Sequence, residues 1–212
     1  MEIRLENTGK RFNREWIFRG MSKSFQINQS YAVLGSNGSG KSTLLQMVCG
    51  FARPSEGEVY GLINDQRIEQ DQLFRHISLA TPYLGLYEDF YLNEILDFHF
   101  KFKSLNPEVD TKNIPELLQL SHALNRPIKQ FSSGMKQRVR LGLAILSDTP
   151  FLFLDEPTSN LDQRGKDWYG ALVQEYAKDR MIMVCSNHQQ EEIFFCQEQI
   201  EIEEYKPQSK SK

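Results

Sequence analysis

Cysteine is scarce: Cys49, Cys185 and Cys196 are the only three in 212 residues. Their wide spacing and apolar surroundings suit neither a disulfide framework nor a zinc site, and they fit a reducing cytosol. Basic charge is not in excess either. The formal net charge is -3, which gives no electrostatic reason to expect nucleic acid, because binders of the phosphate backbone carry a basic face. Long apolar runs are missing as well. The longest, residues 141–146 and 151–154, fall far short of the roughly 18 to 20 residues that cross a bilayer. The opening MEIRLEN is acidic where a secretory signal would be apolar, so none is expected, and any membrane role is expected to come through a partner.

What is present is a 40% hydrophobic, 25% charged chain, enough to bury one globular core over residues 1–212. Alternation at Ile3-Arg4-Leu5-Glu6 and Phe25-Gln26-Ile27 predicts half-exposed antiparallel strands near the start. Residues 31–34, 151–154 and 181–185 are continuously apolar. Strands of that kind are buried on both faces, as in a parallel sheet covered by helices. Residues 87–130 instead repeat at three and four, with Leu92, Ile95, Leu96 and His99 in register and Leu117, Leu118 and Leu120 following Pro115, which predicts a helical insertion. The closing lysines, serines and proline cannot form a core, so a flexible tail is expected from about 205 to 212.

Gly35-Ser36-Asn37-Gly38-Ser39-Gly40-Lys41-Ser42, with Thr43 next in the following helix, matches the G-x-x-x-x-G-K-[ST] loop in its proper strand-loop-helix setting. Each residue type answers a chemical need. Glycines let backbone N–H groups turn inward around phosphates, and the helix N-terminus adds its positive dipole end. Lys41 neutralises the β and γ phosphates, and Ser42 offers a hydroxyl oxygen to Mg²⁺, which keeps several waters and needs few protein ligands.

The apolar strand before Asp155-Glu156-Pro157 delivers two carboxylates to the end of the sheet where ligands bind. Neighbouring strand residues point to opposite faces, so both serve one site only if the chain leaves the ladder there. Pro157 removes a ladder donor and biases Glu156 to an extended or turn conformation. Asp155 would hold Mg²⁺ through its water shell, and Glu156 would take a proton from the attacking water.

Together with Phe131-Ser132-Ser133-Gly134-Met135 upstream, this order of motifs resembles the ATP-binding cassette (ABC) ATPases over nearly the whole chain. The resemblance implies an α/β P-loop fold of ABC type: a mostly parallel sheet core, N-terminal antiparallel strands, and a small helical subdomain at about 83–140. It identifies residues 131–135 with the family's signature segment, where Ser132 and Gly134 at a helix start meet the γ-phosphate held by a second subunit. Ser159 to Asp162 is similar to the D-loop, His188 to the switch histidine, and Phe12 to the aromatic that stacks on adenine, with Trp16 as its rival. ATP and Mg²⁺ are the implied cofactors. A homo- or heterodimer of cassettes in the ATP state and an integral membrane subunit are the implied partners, at the cytoplasmic face of the membrane.

Two departures stand out. Ser133 and Met135 replace the commoner glycine and glutamine of the signature, which leaves Ser132, Gly134 and the helix start intact. The strand at 77–80 should be followed by a glutamine, and Thr81-Pro82 stands there instead, with Gln72 too early to substitute. The leading expectation is the nucleotide-binding subunit of an ABC transporter, hydrolysing ATP to power a separately encoded membrane protein. A soluble ABC ATPase and a regulatory cassette with weak hydrolysis are the alternatives. Lys41 and Asp155 lie 114 positions apart, too close for the long coiled coil of repair-type members. The aromatic connector after Pro82 is expected to meet the membrane subunit through Tyr83, Leu86 and Tyr87.

Overall fold

The computed structural model describes residues 1–207. Two sheets form. The antiparallel one has the order β2-β1-β4-β5, from β1 (Glu2–Phe12), β2 (Glu15–Gln26), β4 (Glu56–Ile63) and β5 (Gln66–Glu69). The other has the order β6-β7-β8-β3-β9, from β3 (Ser30–Leu34), β6 (Ile77–Ala80), β7 (Phe151–Asp155), β8 (Met181–Ser186) and β9 (Glu198–Glu201), and all its pairs are parallel.

The continuously apolar runs are explained by the two-residue period of the strand. Ala32, Leu34, Leu152, Leu154, Ile182 and Val184 enter one core cluster. Their alternate neighbours Tyr31, Val33, Phe151, Phe153, Met181 and Met183 enter the other, together with Ile3, Leu5 and Phe25 of the antiparallel sheet. Both faces of the parallel sheet are therefore dry. In β1 the alternation holds through Glu6 and then shifts phase, because a bulge follows Leu5 and Asn7 takes a positive φ of 46°. A bulge carries one unpaired residue, which moves every later side chain to the opposite face.

Helix α1 (Lys41–Val48) follows β3 directly. The expected helical insertion is made of α2 (Leu92–His99), α3 (Ile114–Leu117), short 3-10 turns, and α4 (Ser133–Ile145), which runs past the expected limit at 140. Leu92, Ile95 and Leu96 are buried, as their spacing requires, while His99 is half-buried and bonds Ser147 Oγ at 2.9 Å. Burial drives its imidazole pKa down to about 4. These helices share one continuous core with α5 (Gln163–Tyr176) and one face of the parallel sheet. Contact is close enough that a Cβ on Gly142 would come within 2.2 Å of Leu118 Cδ2. A last short helix, α6 (Gln190–Ile193), follows β8.

The expected tail begins too early. Ile202 to Tyr205 form a 3-10 turn with Ile202 fully buried and Tyr205 packed against the core, so apolar contact fixes this stretch. Residues 208–212 of the expected tail lie outside the described residues. Cys49 and Cys185 are buried, and burial pushes the thiol of Cys196 up to about 12. Among the described residues no helix is long and apolar enough to cross a membrane.

Candidate functional site

Strand β3 ends at Leu34, and the loop from Gly35 to Gly40 wraps the start of α1. Gly40 has φ 116°, and a Cβ there would lie 2.5 Å from Ile17 Cγ2. Only glycine meets both demands, since L-residues avoid that φ and the space is taken. Lys41 is buried at the first position of α1, and its ammonium donates to the carbonyls of Gly35 (2.8 Å) and Ser36 (3.0 Å). Ser36 donates through its N–H (3.1 Å) and hydroxyl (2.6 Å) to Glu203 Oε1, so the turn at Ile202–Tyr205 braces the loop. Asn37 and Gly38 are exposed, while Ser39 is buried beneath Gly35.

The carboxylates arrive as the strand end requires. Asp155 is the last residue of β7 and is only 4% exposed. Burial raises its pKa, opposed by a hydrogen bond from Ser42 and the charge of Lys41. Of the extended and turn conformations open to Glu156, the chain takes a turn: φ is 44°, its N–H donates to Cys185 O at 2.9 Å, and its carbonyl accepts from Ser159 N at 3.0 Å. This left-handed step is unfavourable for a residue with a Cβ and persists because both backbone groups are bonded. It carries the chain out of the ladder within one residue. Glu156 thereby lines a cavity of about 300 Å³ with Asn37, Gly38, Gly40, Lys41, Ser42, Thr43, Ile17 and Tyr83. A second cavity of about 230 Å³ adjoins it through Ser42 and Tyr83 and is lined also by Asp155 and Thr81.

A family model described as "ABC transporter" matches residues 18–159, more than half of the chain. The chain belongs to the ABC transporter family. It is 31% identical over 189 residues to the uncharacterized ABC transporter ATP-binding protein YxlF of Bacillus subtilis (strain 168), covering 88% of this chain and 62% of that protein. Linearmycin resistance ATP-binding protein LnrL of the same organism is 27% identical over 205 residues, 94% of this chain and 65% of that one. The chain thus spans about three fifths of the length of these relatives. In fold it is similar to a solved putative ABC transporter ATP-binding protein from Pyrococcus furiosus, with a TM-score of 0.82 at 16% identity, covering 98% of this chain and all of that one. A solved ATP-binding subunit of an ABC transporter gives 0.80 at 22% identity over 96% of this chain. The fold is therefore that of an ABC ATP-binding domain, α/β with a parallel sheet and an antiparallel one.

Not every expected ABC site residue lines the Lys41 cavity. Ser132 caps α4 by accepting from Met135 N–H at 3.2 Å, and a Cβ on Gly134 would lie 2.9 Å from Asn160 O, so this helix start abuts the loop after β7. Neither residue lines the cavity of its own chain. His188 is exposed, at φ 55°, with its Nε2 3.9 Å from Glu201 Oε2. Phe12 is 52% exposed at the end of β1, with Lys10 Nζ 5.3 Å from its ring centroid. Its rival Trp16 is engaged by the guanidinium groups of Arg19 (4.7 Å) and Arg11 (5.5 Å). Of the expected docking residues, Leu86 packs on the core, Tyr87 stacks on Phe90 at 5.2 Å, and Tyr83 is 84% exposed.

Sequence reasoning missed Ile17 and, more consequentially, Glu192. Glu192 is 2% exposed, and its Oε1 accepts from Thr158 N (3.1 Å) and Thr158 Oγ1 (2.8 Å), while its Oε2 accepts from Ser186 Oγ. One buried carboxylate thus ties the loop after Glu156 to the loop before His188. No local pattern announces it: an acid in a short surface-type helix reads as solvated. Glu192→Ala is expected to cost about 2 to 4 kcal/mol in urea unfolding, because it strands buried donors. Glu192→Gln should retain most of the stability, its amide oxygen accepting from Thr158 and its amide N–H donating to Ser186. Burial also raises the Glu192 pKa above the ordinary 4.5. Between those two values the folded chain binds a proton that the unfolded chain has released, so this group's contribution to stability falls as pH rises. That slope should be absent from melting curves of Glu192→Gln.

Proposed function

We propose that this chain binds Mg-ATP and hydrolyses it as the nucleotide-binding subunit of an ABC transporter, driving a separately encoded membrane protein. The convergence of Lys41, Ser42, Thr43 and Glu156 on one cavity beside Asp155 carries this reading. Lys41 holds the β and γ phosphates with the backbone N–H groups of residues 36–42. The oxygen donors of Ser42 and Asp155 suit Mg²⁺, and among the described residues no group of three or more His, Cys, Asp or Glu offers a metal a full protein shell. Mg²⁺, when bound, neutralises charge developing on the phosphates. Glu156 accepts the proton of the attacking water, and His188 enters when its loop moves toward the γ-phosphate.

Adenine stacks on Phe12, whose ring is half open, while Trp16 is held by two arginines. Because Ser132 and Gly134 stay off their own cavity, they serve the nucleotide of a second cassette, and the ATP state is a dimer. The membrane subunit docks on the aromatic face where Tyr87 stacks on Phe90, and Phe98 and Phe102 follow in edge-on contact, with Phe102 75% and Tyr87 59% exposed. In this reading the chain works at the cytoplasmic face of the membrane.

ATP turnover measured with and without membranes that carry the cognate multispan protein tests the coupling. Stimulation by those membranes, absent with membranes lacking that protein, is the expected result. Equal turnover in both would leave an uncoupled ATPase.

A further inference from the structure

Tyr83 has no task in the fold. It follows β6 by three residues, and its backbone is firmly placed: Thr81 Oγ1 accepts from Tyr83 N–H at 3.1 Å, and Thr81 O accepts from Leu84 N–H at 3.2 Å. Leu84 O in turn accepts from Arg140 Nε of α4 at 2.7 Å. Pro82 presets the φ that the second position of such a turn needs. The side chain is treated in the opposite way. At 84% exposure it contributes nothing to the core, and its hydroxyl has no hydrogen-bond partner among the described residues. Core packing is supplied instead by Leu86 and Phe90 nearby.

What the residue borders is specific. Tyr83 lines the cavity of Lys41, Ser42, Thr43 and Glu156, and it also lines the adjoining one of Ser42, Thr81 and Asp155. With Ser42, it is the wall that the phosphate side and the metal side share. Thr81-Pro82 brings no side-chain amide to this corner, and the phenol that follows immediately is a hydrogen-bond donor. A donor of that kind, held on a fixed backbone at the mouth of a polar cavity, is suited to an oxygen that gains charge during reaction.

We propose that Tyr83 is a further catalytic residue, donating its hydroxyl to an oxygen of the terminal phosphate of the bound nucleoside triphosphate. This rests on the nucleotide reading of the cavity. In the step, the water oxygen bonds to the γ-phosphorus and the bond from that phosphorus to the β–γ bridging oxygen breaks. Nucleoside diphosphate and phosphate leave. The water's proton passes to Glu156, and Tyr83 keeps its own, stabilising charge spread over the γ oxygens. A tyrosine working here is committed to the nucleotide and is removed from the set that meets the membrane subunit.

The test uses the full chain without membranes. Binding is read with a fluorescent ATP analogue, and hydrolysis as a single turnover of γ-labelled ATP with the chain in excess. Tyr83→Phe keeps the ring and removes only the hydroxyl. Its affinity should stay within about twofold of wild type while the rate falls about tenfold, less than the roughly 100-fold of an enclosed donor because Tyr83 is open to water. An unchanged rate overturns the proposal. So does a wild type with no turnover on this timescale, since the hydroxyl would then have no reaction to serve. Lys41→Ala in the same assay keeps the two readings apart: if it binds ATP normally, the nucleotide reading fails, whatever Tyr83→Phe does.

Discussion

Lys41→Ala should lose ATP affinity by at least about 100-fold, or ~2.7 kcal/mol. Among the described residues the ammonium is the one cation lining the cavity with Ser42, Thr43 and Glu156, and its hydrogen bonds to anionic oxygens are of the charge-assisted kind. In the fold it is held between the carbonyls of Gly35 and Ser36, within the loop proposed to wrap the phosphates. Removing it leaves the buried carbonyl of Gly35 and that of Ser36 without this donor, so the melting temperature without nucleotide should fall by a few degrees. The stabilisation that Mg-ATP gives to wild type should vanish. Isothermal titration with Mg-ATP and a melting series measure both. Near-normal affinity with a normal melting temperature would contradict the phosphate-binding role of the loop.

Glu156→Gln should leave Mg-ATP binding within a few-fold of wild type and slow hydrolysis by about 100- to 10,000-fold, the range for loss of a positioned general base. The amide has the shape of the carboxylate but cannot take the water's proton. Because the backbone at Glu156 is fixed by Cys185 O and Ser159 N, neither of which involves the side chain, the turn should survive the substitution. With hydrolysis blocked, an ATP-bound dimer should accumulate and run at twice the monomer mass on gel filtration with Mg-ATP. A monomer that hydrolyses ATP normally would contradict both the base and the sandwich. Adding Ser132→Ala should weaken the dimer if the start of α4 reads the partner's nucleotide, but the ATP affinity of the monomer should be unaffected, since Ser132 is outside its own cavity.

The phosphate loop was legible in the sequence because its conformation is decided within a few residues. A positive φ calls for glycine, an apolar strand stops where its apolar run stops, and the helix begins where the loop ends. The same holds for Asp155 and Glu156 at the end of β7, and for the double-faced burial of β3, β7 and β8, which follows from side-chain period alone. The family resemblance rests on these local features, and the match over residues 18–159 agrees with it.

What only the tertiary structure decided lies where distant segments return to one another. Glu192 meets Thr158 from 34 positions away and Glu203 meets Ser36 from 167, so neither partner carries a local sign of the other. Tyr205 closes the core although it begins a stretch whose composition reads as tail. Arg11 and Arg19 lie over Trp16, whereas Phe12 has Lys10 alone over its ring and stays half exposed, and Arg11 meets Trp16 through the strand register between β1 and β2. Tyr83 belongs to an aromatic connector by sequence, and to the cavity of Lys41 and Glu156 by the turn that Thr81, Pro82 and Arg140 impose. Residue type sets what a side chain can do, and the path of the chain through space sets which groups stand close enough for it to be done.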